Sequence, residues 1–574
     1  MDASELLAAR YPALSFLLSL DPSKPAFAKD PILDLSSLNL ETLELIYVEG
    51  IGTGKVYDAL KGWLAKDKRR DLVFLEMRGS ALKAFLKERV AAEILAHPQV
   101  HLRFNLEPQR LEKFLEECVT TFPNDQIAVI PGIKGNTPDF KRLELILRRL
   151  TTVHHALALE NQHVDHFFPN LIKNFRRLDH AFDGNALRGT CKGVPAIICG
   201  AGPSLNRDIE ALKSLKEQAL IIAGGSAIAA LSQQGLTPHF GVALDPNEEE
   251  VRRFEQNGSV EMPLLGTARL HTEVFNTLSG PFGYLQTGAA GALERFFEEK
   301  MELSSQPLDE GLSQEALSVT TTAVEFAKTL GCNPIIFVGV DLAYTDGKSY
   351  AKGITPSKEP SSFGAADHIL TRKDIHGNSI RTQVKWVMES SAIGAFAKCH
   401  PTTQFLNASS GGIGFPSIPN RPLTSLELPL QRDLEGKVHH LIQTHPLPVT
   451  STHIETFLQD LKTSLMEGEK LIAVALKELE KVRGKAPETG LLTLCQMDFE
   501  ALPSFRPCFE EPFRILPLQV ARALRPRPWE GPDPTYAWHL AHAKWSTASH
   551  LTTHYLRTLD ASLPQTLQKE GDGV

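Results

Sequence analysis

The stretch from Gly193 to Pro246, GVPAIICGAGPSLNRDIEALKSLKEQALIIAGGSAIAALSQQGLTPHFGVALDP, constrains this chain more than any other. Val194–Cys199 is a short apolar, β-branched run, cut sharply by Gly200-Ala201-Gly202-Pro203-Ser204. Asn206–Leu215 carries Ile209, Leu212 and Leu215 at helical spacing. A second apolar run, Ala219–Ala223, ends at Gly224-Gly225-Ser226; a helix to about Gln234 follows, and a third run, Phe240–Leu244, stops at Asp245-Pro246. Strands alternating with helices at this period predict a parallel α/β sheet. In such sheets ligands sit beyond the carboxyl ends of the strands, where helix N-termini point N–H groups outward. Glycine lets a phosphate approach the backbone, Pro203 presets φ for helix entry, and Ser204 or Asn206 can cap the helix or donate to phosphate.

The flanking sequence divides into further pieces. At 574 residues the chain has room for several domains. Residues 1–150 read as a Rossmann-like α/β domain. It has strands at Leu43–Tyr47, Leu72–Glu76 and Gln126–Pro131, and a glycine loop, Gly50-Ile51-Gly52-Thr53-Gly54. That loop, followed by an acid closing the next strand, has the pattern of a nucleotide or S-adenosylmethionine site. A domain kept for architecture alone has the same pattern. Residues 151–190 read as a helical linker with His154, His155, His163, His166 and His180, which have no accompanying acids or ligand spacing; they are read as solvated or capping rather than metal-binding. The central domain, 191–427, continues with strands at Leu264–Thr267, Phe282–Leu285, Pro334–Val340 and Thr403–Leu406. The Pro334–Val340 run delivers a polar cluster, Asp341-Leu342-Ala343-Tyr344-Thr345-Asp346-Gly347, to a strand end, which is a site signature. Residues 345–383 read as a long polar loop carrying Tyr350, Asp367, His368, Asp374 and His376. From 428 to 574 the helical apolar spacing of Ile454, Phe457, Leu458, Leu461 and Leu465 predicts a separate α-helical domain. Its last helix bears His539, His542, His550 and His554, and its last dozen residues read as disordered.

Composition excludes several classes. A net charge of −8 gives no global attraction to nucleic acid. The seven scattered cysteines contain no C-x-x-C pair and fit reduced thiols in cytoplasm. The N-terminus lacks a basic n-region, and no apolar run approaches the roughly 18 residues that span a membrane. The expectation is a cytoplasmic protein with no metal site, no nucleic-acid partner and no membrane partner.

Taken together, CGAGPSL (199–205), GGSA (224–227), PHF-x-VALDP (238–246), LGCNPIIFVGVDLAYTDGK (330–348) and LNASSGGIG (406–414) resemble the motility accessory factor proteins. Their central domain is shared with the archaeal 6-hydroxymethyl-dihydropterin diphosphokinases and is similar to that of a bacterial sialyltransferase family with a Gly-x-Gly-Pro-Ser-Leu loop. The resemblance runs over roughly residues 160–420. It implies an enzyme that transfers a nonulosonic (sialic-type) acid from a CMP-activated donor to protein Ser/Thr hydroxyls, flagellin among them, with no covalently bound cofactor. By the same resemblance, Gly200, Ala201, Gly202, Pro203 and Ser204, with Gly224, Gly225, Ser226 and Asp245, hold the nucleotide, and Asn407, Gly411 and Gly412 close the cleft. Tyr344 and Tyr350 stabilise the departing phosphate, His376 is the general base with His368 as its competitor, and Asp341 completes the catalytic set. The C-terminal helices are the implied acceptor or oligomerisation surface. Two departures mark a divergent member: Ala201 stands where the sialyltransferases carry asparagine, and Ser409-Ser410-Gly411-Gly412 replaces Glu-Gly-Gly. The diphosphokinase branch instead implies pyrophosphate transfer from ATP, with Mg²⁺ on paired acids. A non-catalytic accessory protein keeping the fold is the third reading.

Overall fold

The structure, a computed structural model, describes residues 2–563 apart from all or part of 27–37, 105–125, 134–163, 256–259, 304–317, 353–368, 486–488 and 525–534, and positions 289 and 432. His154, His155, His163, Asp367, His368 and residues 564–574 therefore lie outside the described residues. The chain forms two compact units, one of residues 1–160 with 517–536, the other of residues 161–516 with 537–574.

The first unit is built on four parallel strands, β1 (Leu45–Glu49), β2 (Asp71–Glu76), β3 (Val100–Phe104) and β4 (Ile127–Pro131), in the order β3-β2-β1-β4. β1 and β2 are buried along their whole length, as strands covered on both faces must be. Helices Lys55–Lys66 and Gly79–Phe85 follow β1 and β2, and their apolar faces (Val56, Leu60, Leu64; Leu82, Phe85) pack into one core with Ile46, Val48 and Phe74.

The second unit carries an eight-stranded parallel sheet: β5 (Phe182–Asp183), β6 (Ala196–Cys199), β7 (Leu220–Gly224), β8 (Phe240–Ala243), β9 (Leu264–Gly266), β10 (Phe282–Tyr284), β11 (Ile335–Val338) and β14 (Phe405–Asn407), ordered β14-β11-β6-β7-β8-β9-β10-β5. The strands expected from the apolar runs are present within one to three residues at their ends, and helix Leu205–Ser214 joins β6 to β7 as the periodicity predicts.

Three features depart from the sequence expectation. The polar stretch 345–383 is not all loop: β12 (Ile369–Lys373) and β13 (Ser379–Gln383) form an antiparallel hairpin, whose exposed, weakly apolar strands leave little alternation to read. Of the 151–190 stretch, residues from 164 on are part of the second unit rather than a linker. Helix Val164–Phe175 buries Phe168, Ile172 and Phe175 in the large core, and β5 pairs with β10 at the sheet edge. The C-terminal helices (Ser451–Lys481, Gly490–Ala501, Tyr536–Ser562) share that core with the sheet rather than building their own. Phe175 stacks on Phe297 at 4.1 Å, Phe457 of the long helix packs edge-on at 5.2 Å, and Tyr555 stacks on Phe168 at 3.9 Å. Edge-to-face and stacked rings of this kind add to burial, so the helices are held by the same hydrophobic mass as the sheet. Among the described residues no helix is long and apolar enough to cross a membrane.

Candidate functional site

The strand order locates the site. From β6 the chain moves outward through β7, β8, β9 and β10, then returns to lay β11 on the other side of β6 and β14 beyond it. The direction reverses between β6 and β11, and a crevice forms at the carboxyl ends where such a reversal occurs. The loops leaving β6, β11 and β14 are the glycine loop 200–204, the polar cluster 341–347 and the glycine turn 410–414.

The first two loops interlock. A Cβ at Gly200 would lie 2.5 Å from the Gly339 carbonyl oxygen, and one at Gly202 would lie 2.5 Å from Asp341 Cγ. Only glycine permits this approach. The Gly200 and Gly202 amides donate to Val338 and Gly339 carbonyls at 2.9 and 2.7 Å. The Ser204 amide donates to Asp341 Oδ2 at 3.0 Å, and its hydroxyl donates to Asp341 Oδ1. Both side chains are buried, and burial pushes the Asp341 carboxyl above its ordinary value. The N–H groups expected to cradle a phosphate at 200–204 are thus largely consumed within the protein. Asp341 occupies the anion position at the helix N-terminus.

Past Asp341 the backbone is forced outward. Leu342 and Asp346 adopt φ of +50° and +54°, an unusual conformation for residues with a Cβ. It is sustained by hydrogen bonds from Thr382 Oγ1 to the Leu342 carbonyl (2.6 Å) and from the Tyr344 amide to the Arg381 carbonyl (2.9 Å). The hairpin thereby clamps the 342–347 segment. Strain held in this way concentrates at functional sites.

Above this foundation lies a cleft of about 520 Å³, walled by the 344–347 segment, the hairpin and the glycine turn. Tyr344, His376, Gly411 and Gly412 all line it. Tyr344 is 3% exposed; Gln383 Nε2 donates to its phenol oxygen and Trp386 packs at 5.0 Å. His376 sits at the hairpin tip, where Asp374 Oδ1 accepts from the His376 and Asn378 amides at 2.9 and 2.7 Å and fixes the turn. Its Nε2 lies 3.4 Å from the Ser410 carbonyl oxygen. A carbonyl only accepts, so in this long contact Nε2 is the donor. Gly412 has φ +89°, and a Cβ there would meet the Asp341 carbonyl oxygen at 2.1 Å. Among the described residues nothing accepts from the Gly411 or Gly412 amide. Adjacent unpaired amides in a turn of this kind form an anion-binding concavity. Arg207 reaches the same place: its Nη2 lies 3.0 Å from where a Gly411 Cβ would be.

Other expected residues lie outside this lining. Tyr350 packs against the large core, and its neighbour Ala351 donates to the Ala201 carbonyl at 2.8 Å. Asn407 is 1% exposed and spent on the turn itself, donating to Asn420 Oδ1 at 2.8 Å and accepting from the Ser409 amide at 3.2 Å. Pro203 is buried, and Gly224 meets helix Val319–Thr329, where a Cβ would lie 2.6 Å from Val319 Cβ. Gly225 and Ser226 open the short Ser226–Ser232 helix. Asp245 and Glu250 hold Arg253 between them, at 2.9 and 2.6 Å. With a guanidinium already bridging them, these acids do not present a divalent-cation site. Among the described residues no three acidic, histidine or cysteine side chains converge on one. The cleft also contains Arg207, Arg381 and Asn378, which sequence reasoning passed over. Arg207 is a solvent-facing position of a helix in any periodicity plot, and Arg381 belongs to the unrecognised hairpin.

In the first unit the glycine loop is likewise satisfied internally. Glu76, closing β2, accepts from the Ile51 amide at 3.0 Å and from the Arg78 amide at 3.0 Å. Asp30 accepts from the Thr53 amide (3.0 Å) and hydroxyl (2.8 Å), and pairs with Lys55 at 3.1 Å. The acid that would hold a ribose and the amides that would hold a phosphate are bound to each other's segments, which is the architectural reading of this loop.

Residues 169–347 match the family model described as 6-hydroxymethylpterin diphosphokinase MptE-like. The whole chain is similar in fold to the MAf glycosyltransferase from Magnetospirillum magneticum AMB-1, with a TM-score of 0.51 and 14% sequence identity over 98% of this chain and 96% of that one. No curated protein matches. The second unit thus carries an MptE-like domain, and the chain as a whole has a glycosyltransferase-like fold.

Proposed function

We propose that this chain transfers a nonulosonic acid from a CMP-activated donor to a serine or threonine hydroxyl of a protein. One observation carries the reading: Tyr344 and His376, 32 residues apart in sequence, line the same switch-point cleft as Gly411 and Gly412, whose amides have no acceptor among the described residues. In this transfer the bond between the sugar's anomeric carbon and the phosphate oxygen breaks, and the electron pair leaves with the phosphate. The transition state is oxocarbenium-like, so the catalytic demand is to stabilise charge on the leaving group. The Gly411 and Gly412 amides with Arg207 meet that phosphate, and the Tyr344 phenol, fixed by Gln383, donates toward the departing oxygen. The acceptor hydroxyl oxygen then bonds to the anomeric carbon, and its proton passes to His376 Nδ1. An imidazole is suited to take a proton near neutral pH.

In this account the loop Gly200–Ser204 does not touch the donor. It holds Asp341, which fixes the start of the 342–347 segment. The alternative of pyrophosphate transfer from ATP needs a metal held by acids, and the acids after β8 are bridged by Arg253. The acceptor surface is proposed to lie on the C-terminal helices, and the reaction in the cytoplasm; oligomerisation is compatible with both.

Thermal melting in the presence of CMP and CDP, of ATP with Mg²⁺, and of S-adenosylmethionine tests the reading. A ligand at about 100 times its dissociation constant adds about 2.7 kcal/mol to the stability of the unit that binds it. Stabilisation by cytidine nucleotides alone is the expected result. Stabilisation by ATP–Mg²⁺ alone would replace it with the diphosphokinase reading, and no response to any would favour a non-catalytic protein.

A further inference from the structure

Two guanidinium groups reach the cleft, and they are not equivalent. Arg207 has company: its Nη2 donates to the Ser410 carbonyl at 3.3 Å and its Nη1 lies 3.9 Å from Asp346 Oδ2. Arg381, on β13 in the same lining, has no side-chain partner among the described residues, although its backbone carbonyl anchors the Tyr344 amide. The second acid in the lining, Asp374, turns its carboxylate onto its own hairpin, accepting from the His376 and Asn378 amides. The uncompensated positive charge of the cleft is therefore that of Arg381.

We infer that Arg381 binds the carboxylate of the donor sugar and selects donors that carry one. This rests on the reading of the cleft as a CMP-nonulosonate site. In such a donor the anomeric carbon bears both the phosphate and a carboxylate, so two anions leave one atom in different directions. With the phosphate seated at the glycine turn beside Arg207, the carboxylate is left for another part of the lining, where Arg381 is the cation without a side-chain partner among the described residues. A guanidinium presents two parallel N–H groups to a carboxylate, fixing its plane as well as its charge. Neutral-hexose donors bring only the phosphate and form no ion pair with Arg381, so they forgo that charge-assisted contact. The Tyr344 amide donates to the Arg381 carbonyl at 2.9 Å, which fixes the spacing of the two backbones.

Calorimetric titration of the full chain with CMP and with CMP-N-acetylneuraminate, for the wild type, Arg381→Gln and Arg381→Lys, tests this. The expected result is a loss of at least tenfold in affinity for CMP-N-acetylneuraminate in Arg381→Gln, a smaller loss in Arg381→Lys, and CMP affinity within twofold of wild type in both. Equal losses for the two ligands would move Arg381 to the CMP moiety and overturn the assignment, and no loss for either would overturn it while leaving the CMP site intact. A wild type that binds CMP no less tightly than the sugar nucleotide would also overturn it. A wild type that binds neither would overturn the underlying reading and this inference with it. Arg381 is exposed and its side chain has no partner among the described residues, so unchanged melting temperatures are expected for both variants.

Discussion

Ser204 and Asp341, 137 residues apart, form a closed unit: the serine amide donates to one carboxylate oxygen at 3.0 Å and the serine hydroxyl to the other. This contact ties the loop after β6 to the loop after β11 across the point where the sheet reverses direction. The cleft rests on it, because the strained 342–347 segment starts at Asp341. Replacing Asp341 by asparagine puts an N–H₂ group against a donor in a buried site, and a buried donor left unmatched costs about 1–3 kcal/mol. Asp341→Asn is expected to lose that much in urea denaturation, with Ser204→Ala losing less because the amide contact survives.

Glycine substitutions should separate close approach from conformation alone. Gly412→Ala places a Cβ 2.1 Å from a backbone oxygen at φ +89°, whereas Gly189, at φ +75°, has nothing within 4 Å. The left-handed conformation by itself costs about 1–2 kcal/mol. Gly189→Ala is expected to show only that loss with transfer activity kept, and Gly412→Ala a larger loss together with the collapse of CMP binding.

The two residues given chemical roles should fail without unfolding. Tyr344→Phe and His376→Gln are each expected to lower the rate of CMP release from a CMP-activated nonulosonic acid by about 10²–10⁴-fold. His376→Gln should leave the melting temperature unchanged, since the side chain is exposed. Tyr350→Phe should stay within a few-fold of wild type, because that ring packs against the core and away from the lining. A Tyr350 variant as impaired as Tyr344→Phe would contradict the placement of the phosphate.

Much of this was legible in the chain. Ile197–Cys199, Leu220–Ala223 and Ile335–Val338 are continuous β-branched or apolar runs bounded by glycine, and they are the buried central strands. The location of Tyr344 at a strand end followed from the same pattern. Three things were not legible, each for a physical reason. A glycine loop looks identical whether its amides face a phosphate or an aspartate from 137 residues away, so the role of Gly200–Ser204 depended on a distance no local pattern contains. The hairpin that presents His376 and Arg381 is exposed over most of both strands, with only Thr382 and Gln383 buried, and that exposure removes the period-2 contrast that marks a strand. The C-terminal helices carry a normal apolar stripe, but the stripe does not say that it packs on Phe175 and Phe297, which lie on helices flanking the sheet, rather than on other C-terminal helices alone.

Buried acids give the fold a pH signature. Glu250 is fully buried beside Asp245 and Arg253, and burial, with the Asp245 charge added, pushes its carboxyl up to about 7 from an ordinary 4.5. A carboxyl whose folded value is raised binds more protons folded than unfolded between those limits. Its contribution is full below about 4.5 and is lost as pH rises through about 7. Glu250→Gln removes the ionisation, so the melting temperature of the variant relative to wild type should rise between pH 5 and pH 8. A constant difference across that range would show that Glu250 stays ionised against Arg253 throughout.

The central claim is that the phosphate of a cytidine monophosphate donor sits at the Gly411–Gly412 turn beside Arg207. Isothermal titration of CMP into the wild-type chain and into Arg207→Ala measures it. The account predicts saturable binding to one site in the wild type and an affinity about 10- to 100-fold weaker in Arg207→Ala, the worth of one charge-assisted contact. Equal CMP affinity in the two proteins, or no binding to the wild type, would contradict it.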